Sequence, residues 1–157
     1  MLLLPGMMCD LRLWRHQADA LADIAAISFG DITGACSVEA LAARVLANAP
    51  DHFALAGLSM GGIVALEMWR QAPHRVERLA LLDTNYRADT PQRRQLRDQQ
   101  ITRAAEGELK DILRNELKPT YLARVHRNNT PLLDEVLAMG IELGESVFIE
   151  QSAALRD

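Results

Sequence analysis

The chain has 157 residues, of which 49% are hydrophobic, 24% are charged and 4% are aromatic. This length and apolar content suit one folded unit with a buried core. The formal net charge of −4, the lack of Lys and Arg runs and the scarcity of aromatic residues argue against a nucleic-acid partner, because phosphates need a basic surface and stacked bases need aromatic side chains.

The opening sequence MLLLPGMMC is apolar, but it has no basic segment and meets Pro5-Gly6 after four residues, which is not typical of a signal peptide. No stretch approaches the roughly 20 apolar residues that cross a bilayer, so we expect no membrane partner. The two cysteines, Cys9 and Cys36, are expected to be free thiols of a cytoplasmic protein. Neither occupies a turn typical of a cysteine nucleophile.

Short apolar runs alternate with amphipathic segments in the first third of the chain. Leu2–Leu4 predicts a buried strand that ends at Pro5-Gly6, and residues 7–10 predict a loop that leads into a helix. A second strand is predicted for residues 24–29. Ser37 is typical of a helix N-cap. The helix that follows has apolar residues at helical spacing, at Val38, Leu41, Ala42, Val45, Leu46 and Ala49.

The most informative stretch is FALAGLSMGGIVALEMW, residues 53–69. Residues 53–57 are few and apolar, as is typical of a buried parallel strand, and residues 63–69 are apolar nearly all round, which indicates a helix packed on a sheet. Between them, GLSMG places Ser59 at the apex of a sharp turn. Strand, tight turn and helix with a central serine make the G-x-S-x-G nucleophile elbow.

The residues of this turn suit a serine nucleophile. Gly57 and Gly61 leave room for a strained backbone that pushes the Ser59 hydroxyl out of the sheet. Met60 opens the helix, so its N–H lacks an intrahelical partner and is the first candidate oxyanion-hole donor. The alternatives are a serine that only caps the helix or a phosphate-binding turn. A dinucleotide loop has a glycine where Ser59 stands, and a P-loop has a lysine after its last glycine.

The sequence FALAGLSMGGIVALEMWRQAPHRVERLALLDT resembles the central part of the α/β-hydrolases, and LLLPGMMCDLRLW resembles the strand and oxyanion loop of that family. The resemblance implies a three-layer α/β/α sandwich with a parallel sheet and a Ser, acid, His triad in that chain order. If the strand order follows the family, the first strand lies beside the elbow strand and the Met7 N–H is the second oxyanion donor. The family more often has His-Gly where this chain has Pro5-Gly6.

Val76–Leu82 predicts a fourth strand, and strand patterns stop after it. We predict a partial α/β-hydrolase core over residues 1–86 and a helical cap over residues 87–157. Thr90-Pro91 and Thr130-Pro131 are each typical of an N-cap followed by proline, and four or five short helices are expected. Several cap side chains could line an acyl pocket or form the core of the cap itself: Leu117, Tyr121, Leu122, Leu132, Leu133 and Met139.

A serine hydroxyl needs a base within hydrogen-bond reach, which is usually a histidine oriented by a carboxylate. His52 and His74 are each expected about 20 Å from Ser59, at the far ends of the elbow strand and helix. His16 is expected on an exposed helix face, which leaves His126 as a candidate.

Asp83, at the end of its strand, is either a triad acid or a turn residue. By resemblance, the acid and the histidine are expected after two further strands. Three interpretations remain: a fragment of a longer hydrolase, an inactive pseudo-hydrolase that binds a ligand or partner, and a hydrolase that uses His126. A helical pattern without a capping signal at residues 155–157 favours the fragment.

We therefore expect a serine hydrolase of the esterase type that acts on a small carboxylic ester or a related acyl compound. No metal site is indicated, because the sequence has no ligand spacing such as H-E-x-x-H, and no organic cofactor is implied. Without a further strand beside it, Val76–Leu82 would present an apolar edge, so self-association through this edge is also expected.

Overall fold

A computed structural model describes residues 1–156, in which four parallel strands form a single sheet. Their order across the sheet is β2-β1-β3-β4. The strands are β1 (Leu2–Leu4), β2 (Ser28–Phe29), β3 (Phe53–Leu58) and β4 (Val76–Leu82). β1 lies beside β3 in a register that pairs Leu2 with Leu55 and Leu4 with Gly57. The predicted α/β fold with a parallel sheet is confirmed.

Side-chain alternation along the strands gives the sheet two apolar faces. Leu2 and Leu4 of β1 point into the main core, whereas Leu3 packs with Trp14 and Ala56 in a smaller cluster. A 3-10 helix (Leu11–Trp14) and α1 (Arg15–Leu21) follow β1, and α2 (Val38–Asn48) and α3 (Met60–Gln71) pack against each other. The Ser37 side chain accepts a hydrogen bond from the Ala40 N–H at 3.2 Å, so the predicted N-cap of α2 is confirmed.

The second strand is shorter than the sequence predicted. Only Ser28 and Phe29 pair with β1, whereas the prediction covered residues 24–29. The N–H groups of Ile24 and Ala25 both donate to the Leu21 carbonyl, which continues the chain in turns beyond α1. Their apolar side chains therefore lie outside the sheet, and that of Ile24 is 78% exposed.

The chain after β4 is helical. It forms α4 (Pro91–Arg103), α5 (Leu109–Asp111), α6 (Lys118–Tyr121) and α7 (Thr130–Arg156), with π-helical turns at Ala104–Glu108 and Ile112–Leu117 and a 3-10 helix at Arg124–His126. Thr90 caps α4 as predicted, since its hydroxyl accepts a hydrogen bond from the Arg93 N–H at 3.3 Å.

One detail of this helical part corrects the sequence-based predictions. The residue that caps α7 is Asn129, whose Oδ1 accepts from the Leu132 N–H at 3.2 Å, and not Thr130. α7 spans 27 residues, but the backbone of Gly144, at φ 84° and ψ 179°, is non-helical and divides it into two helical stretches at a kink.

One main core extends from the sheet into the later helices. Leu4 and Val64 belong to the same apolar cluster as Ile112 and Phe148, and all four are fully buried. The later helices therefore share this core with the sheet, and the division at residue 86 stays a prediction. Within residues 1–156, every helix is too short or too polar to cross a membrane.

Candidate active site

Ser59 stands at the turn between β3 and α3, with φ 51° and ψ −115°. This left-handed conformation is rare for a residue other than glycine and stores backbone strain. The Ser59 N–H donates to the Leu82 carbonyl at 2.9 Å, and the Ser59 carbonyl accepts from the Thr84 hydroxyl at 2.6 Å. The residue is exposed, and its side chain makes no capping hydrogen bond to α3. The hydroxyl is thus free for a substrate, against the alternative in which it only caps the helix.

The two glycines of the motif are required by close backbone contacts. A Cβ on Gly57 would lie 2.2 Å from the Gly61 carbonyl oxygen, and a Cβ on Gly61 would lie 2.4 Å from the Pro5 carbonyl oxygen. Such contacts are sterically excluded, so neither position accepts a side chain without a backbone shift. The contact at Gly61 also brings the start of α3 against the end of β1.

The two predicted oxyanion donors belong to segments that meet at Ser59. Met60 is the first residue of α3, and Met7 lies in the loop of residues 5–10, which we call the oxyanion loop. A Cβ on Gly6 would lie 3.7 Å from the Ser59 Cβ, which places this loop beside the serine. Neither the Met7 N–H nor the Met60 N–H donates a hydrogen bond to another described residue. Both amides are available, and their oxyanion role stays a prediction.

An apolar pocket of about 100 Å³ opens beside Ser59. It is lined by Gly6, Met7, Cys9, Leu13, Leu58, Ser59, Tyr121, Leu122 and Val136. Tyr121 and Leu122 therefore line it as the sequence suggested. Leu117 packs against the main core that the later helices share with the sheet, and Met139 is 3% exposed; neither residue lines the pocket.

A second pocket, of about 230 Å³, opens on the other side of Ser59 and is mostly polar. It is lined by Ser59, Met60, Ile63, Asp83, Asn85, Arg87, Asp89, Arg93, Arg97 and Leu155. Asp89 forms ion pairs with Arg97 at 2.5 Å and with Arg93 at 3.3 Å. Asp83 lines this pocket with φ 42°, but no hydrogen bond of its carboxylate to a histidine is present among residues 1–156.

No histidine is placed to activate the serine. His16, His52, His74 and His126 are all exposed, and none of them lines either pocket or hydrogen-bonds to Ser59. His126 closes a 3-10 turn in which its N–H donates to the Ala123 carbonyl at 2.8 Å. Within the described chain, the candidate nucleophile Ser59 and the two candidate amide donors have no histidine beside them.

Sequence reasoning missed two residues that contact the oxyanion loop. The Lys118 Nζ donates to the Met8 carbonyl at 2.7 Å, and the Gln151 Oε1 accepts from the Met8 N–H at 2.9 Å. Both side chains are buried, at 1% and 0% exposure. A lysine or glutamine in an amphipathic helix normally faces solvent, so the sequence carries no signal of these contacts.

Solved structures of several hydrolases have an architecture similar to that of this chain. A hydrolase from Pseudomonas aeruginosa superposes with a TM-score of 0.84 at 22% identity, over 99% of this chain and 63% of that one. The chain has the α/β-hydrolase fold. An enol-lactonase from Burkholderia xenovorans (TM-score 0.83, 19% identity) and an esterase from Thermogutta terrifontis (TM-score 0.75, 24% identity) are similar over 99% of this chain.

The chain is shorter than these structures. It spans 64% of the enol-lactonase and 62% of the esterase. No model of a protein family matches the sequence. A short segment of 49 residues is 41% identical to a pimeloyl-[acyl-carrier protein] methyl ester esterase from Aromatoleum aromaticum and covers 31% of this chain and 20% of that protein.

Proposed function

We propose that this chain is part of a serine hydrolase that acts on a small carboxylic ester or a related acyl compound. The observation that carries the proposal is the exposed Ser59 at a positive-φ turn between β3 and α3, with no hydrogen bond from its side chain to the helix. The names of the similar proteins, which include an esterase, an enol-lactonase and a methyl ester esterase, support the same reaction class.

In the proposed reaction, the Ser59 Oγ attacks the carbonyl carbon of the substrate while a base takes the hydroxyl proton. The carbonyl electron pair moves onto oxygen, where the N–H groups of Met7 and Met60 stabilise the negative charge. Each such donor contributes about 3 kcal/mol in enzymes where one has been removed. As the tetrahedral intermediate collapses, the base returns its proton to the leaving oxygen, so that a neutral alcohol departs and an acyl-serine remains, which water then hydrolyses to the acid.

The pockets beside Ser59 favour a small acyl group. The apolar pocket of about 100 Å³ joins the oxyanion loop to Tyr121 and Leu122, so an acyl chain there would bury carbon atoms against apolar side chains. The substrate we propose is accordingly a small molecule and not a polymer.

The base of the proposed reaction is not among the described residues near Ser59. Because the chain spans less than two thirds of its structural neighbours, we propose that further polypeptide supplies the histidine and the acid. The same lack of a histidine favours one alternative function, in which the chain is an inactive pseudo-hydrolase that binds a ligand or a partner.

A fluorophosphonate probe that reacts with activated serines separates the two functions. For a hydrolase, mass spectrometry of the folded chain is expected to show slow labelling that disappears in Ser59→Ala. Ser146→Ala is a suitable control, because Ser146 is exposed on α7 and outside both pockets, so this variant should label like the wild type. A folded wild type without labelling, both alone and as the full-length gene product, would favour the binding module.

A further inference from the structure

The oxyanion loop does not hold its shape through its own hydrogen bonds. Its backbone contains one internal bond, from the Cys9 N–H to the Gly6 carbonyl at 3.1 Å. Met8 adopts φ 52°, a left-handed conformation that is unfavourable for a residue with a side chain, and it is completely buried. A loop in this state needs contacts from outside to remain in one conformation.

Three side chains from the later helices supply these contacts. The Tyr121 hydroxyl donates to the Met7 carbonyl at 3.3 Å, the Met8 N–H donates to the Gln151 Oε1 at 2.9 Å, and the Lys118 Nζ donates to the Met8 carbonyl at 2.7 Å. The Gln151 amide is itself fixed, since its Nε2 donates to the Ile32 carbonyl at 3.1 Å. Three consecutive polar groups of the loop backbone are therefore held from the helical side.

The lysine is the most unusual member of this set. Lys118 is 1% exposed, and burial lowers its pKa because a charged amine loses its hydration. Its Nζ lies 4.6 Å from the centre of the Tyr121 ring and 3.7 Å from the Cys9 Sγ, besides the bond to Met8. A buried amine destabilises the fold unless its N–H groups are hydrogen-bonded. The charge-assisted bond from Lys118 to the Met8 carbonyl therefore resists rotation of the peptide between Met8 and Cys9.

We propose that Lys118, Tyr121 and Gln151 are positioning residues that hold the oxyanion loop so that the Met7 N–H faces the oxygen of a substrate bound at Ser59. The inference rests on the proposed function, because it assigns to the later helices the task of completing the oxyanion hole. The Met7 N–H belongs to the peptide between Gly6 and Met7, whose carbonyl accepts from the Cys9 N–H. The three side chains hold the next two peptides, so a movement of the loop that turned the Met7 N–H away would break at least one of these four bonds.

The test compares the two lysines and the two tyrosines of the chain. Lys118→Met removes the buried donor, and its control is Lys110→Met, since Lys110 is exposed on α5. Tyr121→Phe removes only the hydroxyl, and its control is Tyr86→Phe, since the Tyr86 side chain is 79% exposed. Two quantities are measured in each folded variant: hydrogen exchange of the amides of residues 7–9, and the rate of Ser59 labelling by the fluorophosphonate as a function of probe concentration.

For Lys118→Met we expect faster exchange at the loop amides and a maximal labelling rate lower by roughly tenfold or more, with an unchanged half-saturating probe concentration. Tyr121→Phe should change both quantities in the same direction but less, because its bond is longer and neutral. The two controls should match the wild type. If Lys118→Met does not fold, Tyr121→Phe against Tyr86→Phe decides the question.

Wild-type labelling rates in both Lys118→Met and Tyr121→Phe would overturn the positioning role and leave the proposed function intact. Faster loop exchange without slower labelling would overturn it as well, because the contacts would then be structural only. A wild type that is not labelled, either alone or as the full-length gene product, contradicts the proposed function itself, and the inference then falls with it.

Discussion

Among residues 1–156, three residues other than glycine have a positive φ, and each follows the end of a strand near the candidate site. Met8 follows β1 at 52°, Ser59 follows β3 at 51° and Asp83 follows β4 at 42°. β1, β3 and β4 are neighbours and run in the same direction, so their ends meet at one edge of the sheet. Backbone strain of this kind concentrates at functional sites, where the surrounding structure enforces it. The strained residues therefore lie at the same edge of the sheet as the candidate nucleophile.

The charge of Asp10, at the end of the oxyanion loop, should make the stability of the protein depend on pH. The Asp10 carboxylate caps the 3-10 helix and accepts hydrogen bonds from the Arg12 guanidinium, which holds the pKa of Asp10 below its ordinary value. A depressed carboxyl pKa stabilises the folded state above the unfolded-state pKa, and this stabilisation is lost as the pH falls through the folded-state pKa.

We expect Asp10→Asn to be less stable than the wild type at pH 7, by a modest amount because solvent still reaches both partners of the ion pair, whose side chains are 30% and 26% exposed. The difference should shrink as the pH falls below about 4. Urea unfolding at a series of pH values checks this result. Asp23→Asn serves as the control, because Asp23 is exposed and forms no ion pair with another described residue. A difference that is independent of pH would contradict the role of the charge.

The sequence predicted the candidate site residues that belong to one short motif, and it missed the residues that contact the site from far along the chain. Gly57, Ser59 and Gly61 lie within five consecutive residues, and the close backbone contacts at the two glycines explain why no side chain fits there. Lys118 and Gln151 reach Met8 across 110 and 143 positions of the chain. Contacts of this kind depend on how helices pack, and a single sequence does not contain that information.

At the scale of elements, the strands with clear ends were predicted well. β1 and β4 have the predicted bounds, because short apolar runs stop at Pro5-Gly6 and at Asp83-Thr84. β2 was predicted too long, since its apolar residues follow α1 in turns and not in the sheet. α7 is longer than the short helices expected, although the non-helical backbone of Gly144 divides it into two helical stretches.

β4 is an edge strand with exposed leucines, which favours self-association of the chain. It pairs with β3 on one side, no strand among residues 1–156 pairs with its other side, and Leu79, Leu81 and Leu82 are 37–43% exposed. An exposed apolar edge of this kind is a template for pairing with another chain. We expect the 157-residue chain to self-associate at micromolar concentration in sedimentation experiments.

The substitution Leu81→Lys should weaken this self-association, because a charge on an edge strand disfavours pairing. Leu96→Lys is the matched control, since Leu96 is 50% exposed on α4, away from the edge. A wild-type chain that is monomeric and unfolds cooperatively at the same concentration would show this expectation to be wrong.

For the whole molecule, the α/β-hydrolase fold explains why the candidate site lies where it does. Parallel strands bring the oxyanion loop, the serine turn and the end of β4 to one edge of the sheet, and the later helices contact that edge through Tyr121, Lys118 and Gln151. The sequence predicted this architecture because each strand and turn has a local pattern. It could not predict the base, since none of the four histidines lies at the site.

The central claim is that Ser59 and the amides of Met7 and Met60 form one nucleophile and oxyanion site. A crystal structure of the chain after reaction with the fluorophosphonate tests it most directly. The account predicts a phosphonyl group on the Ser59 Oγ, with its oxygen about 2.7–3.1 Å from the backbone nitrogens of both Met7 and Met60. A phosphonyl oxygen that points to solvent, or a probe attached to another residue, would contradict it.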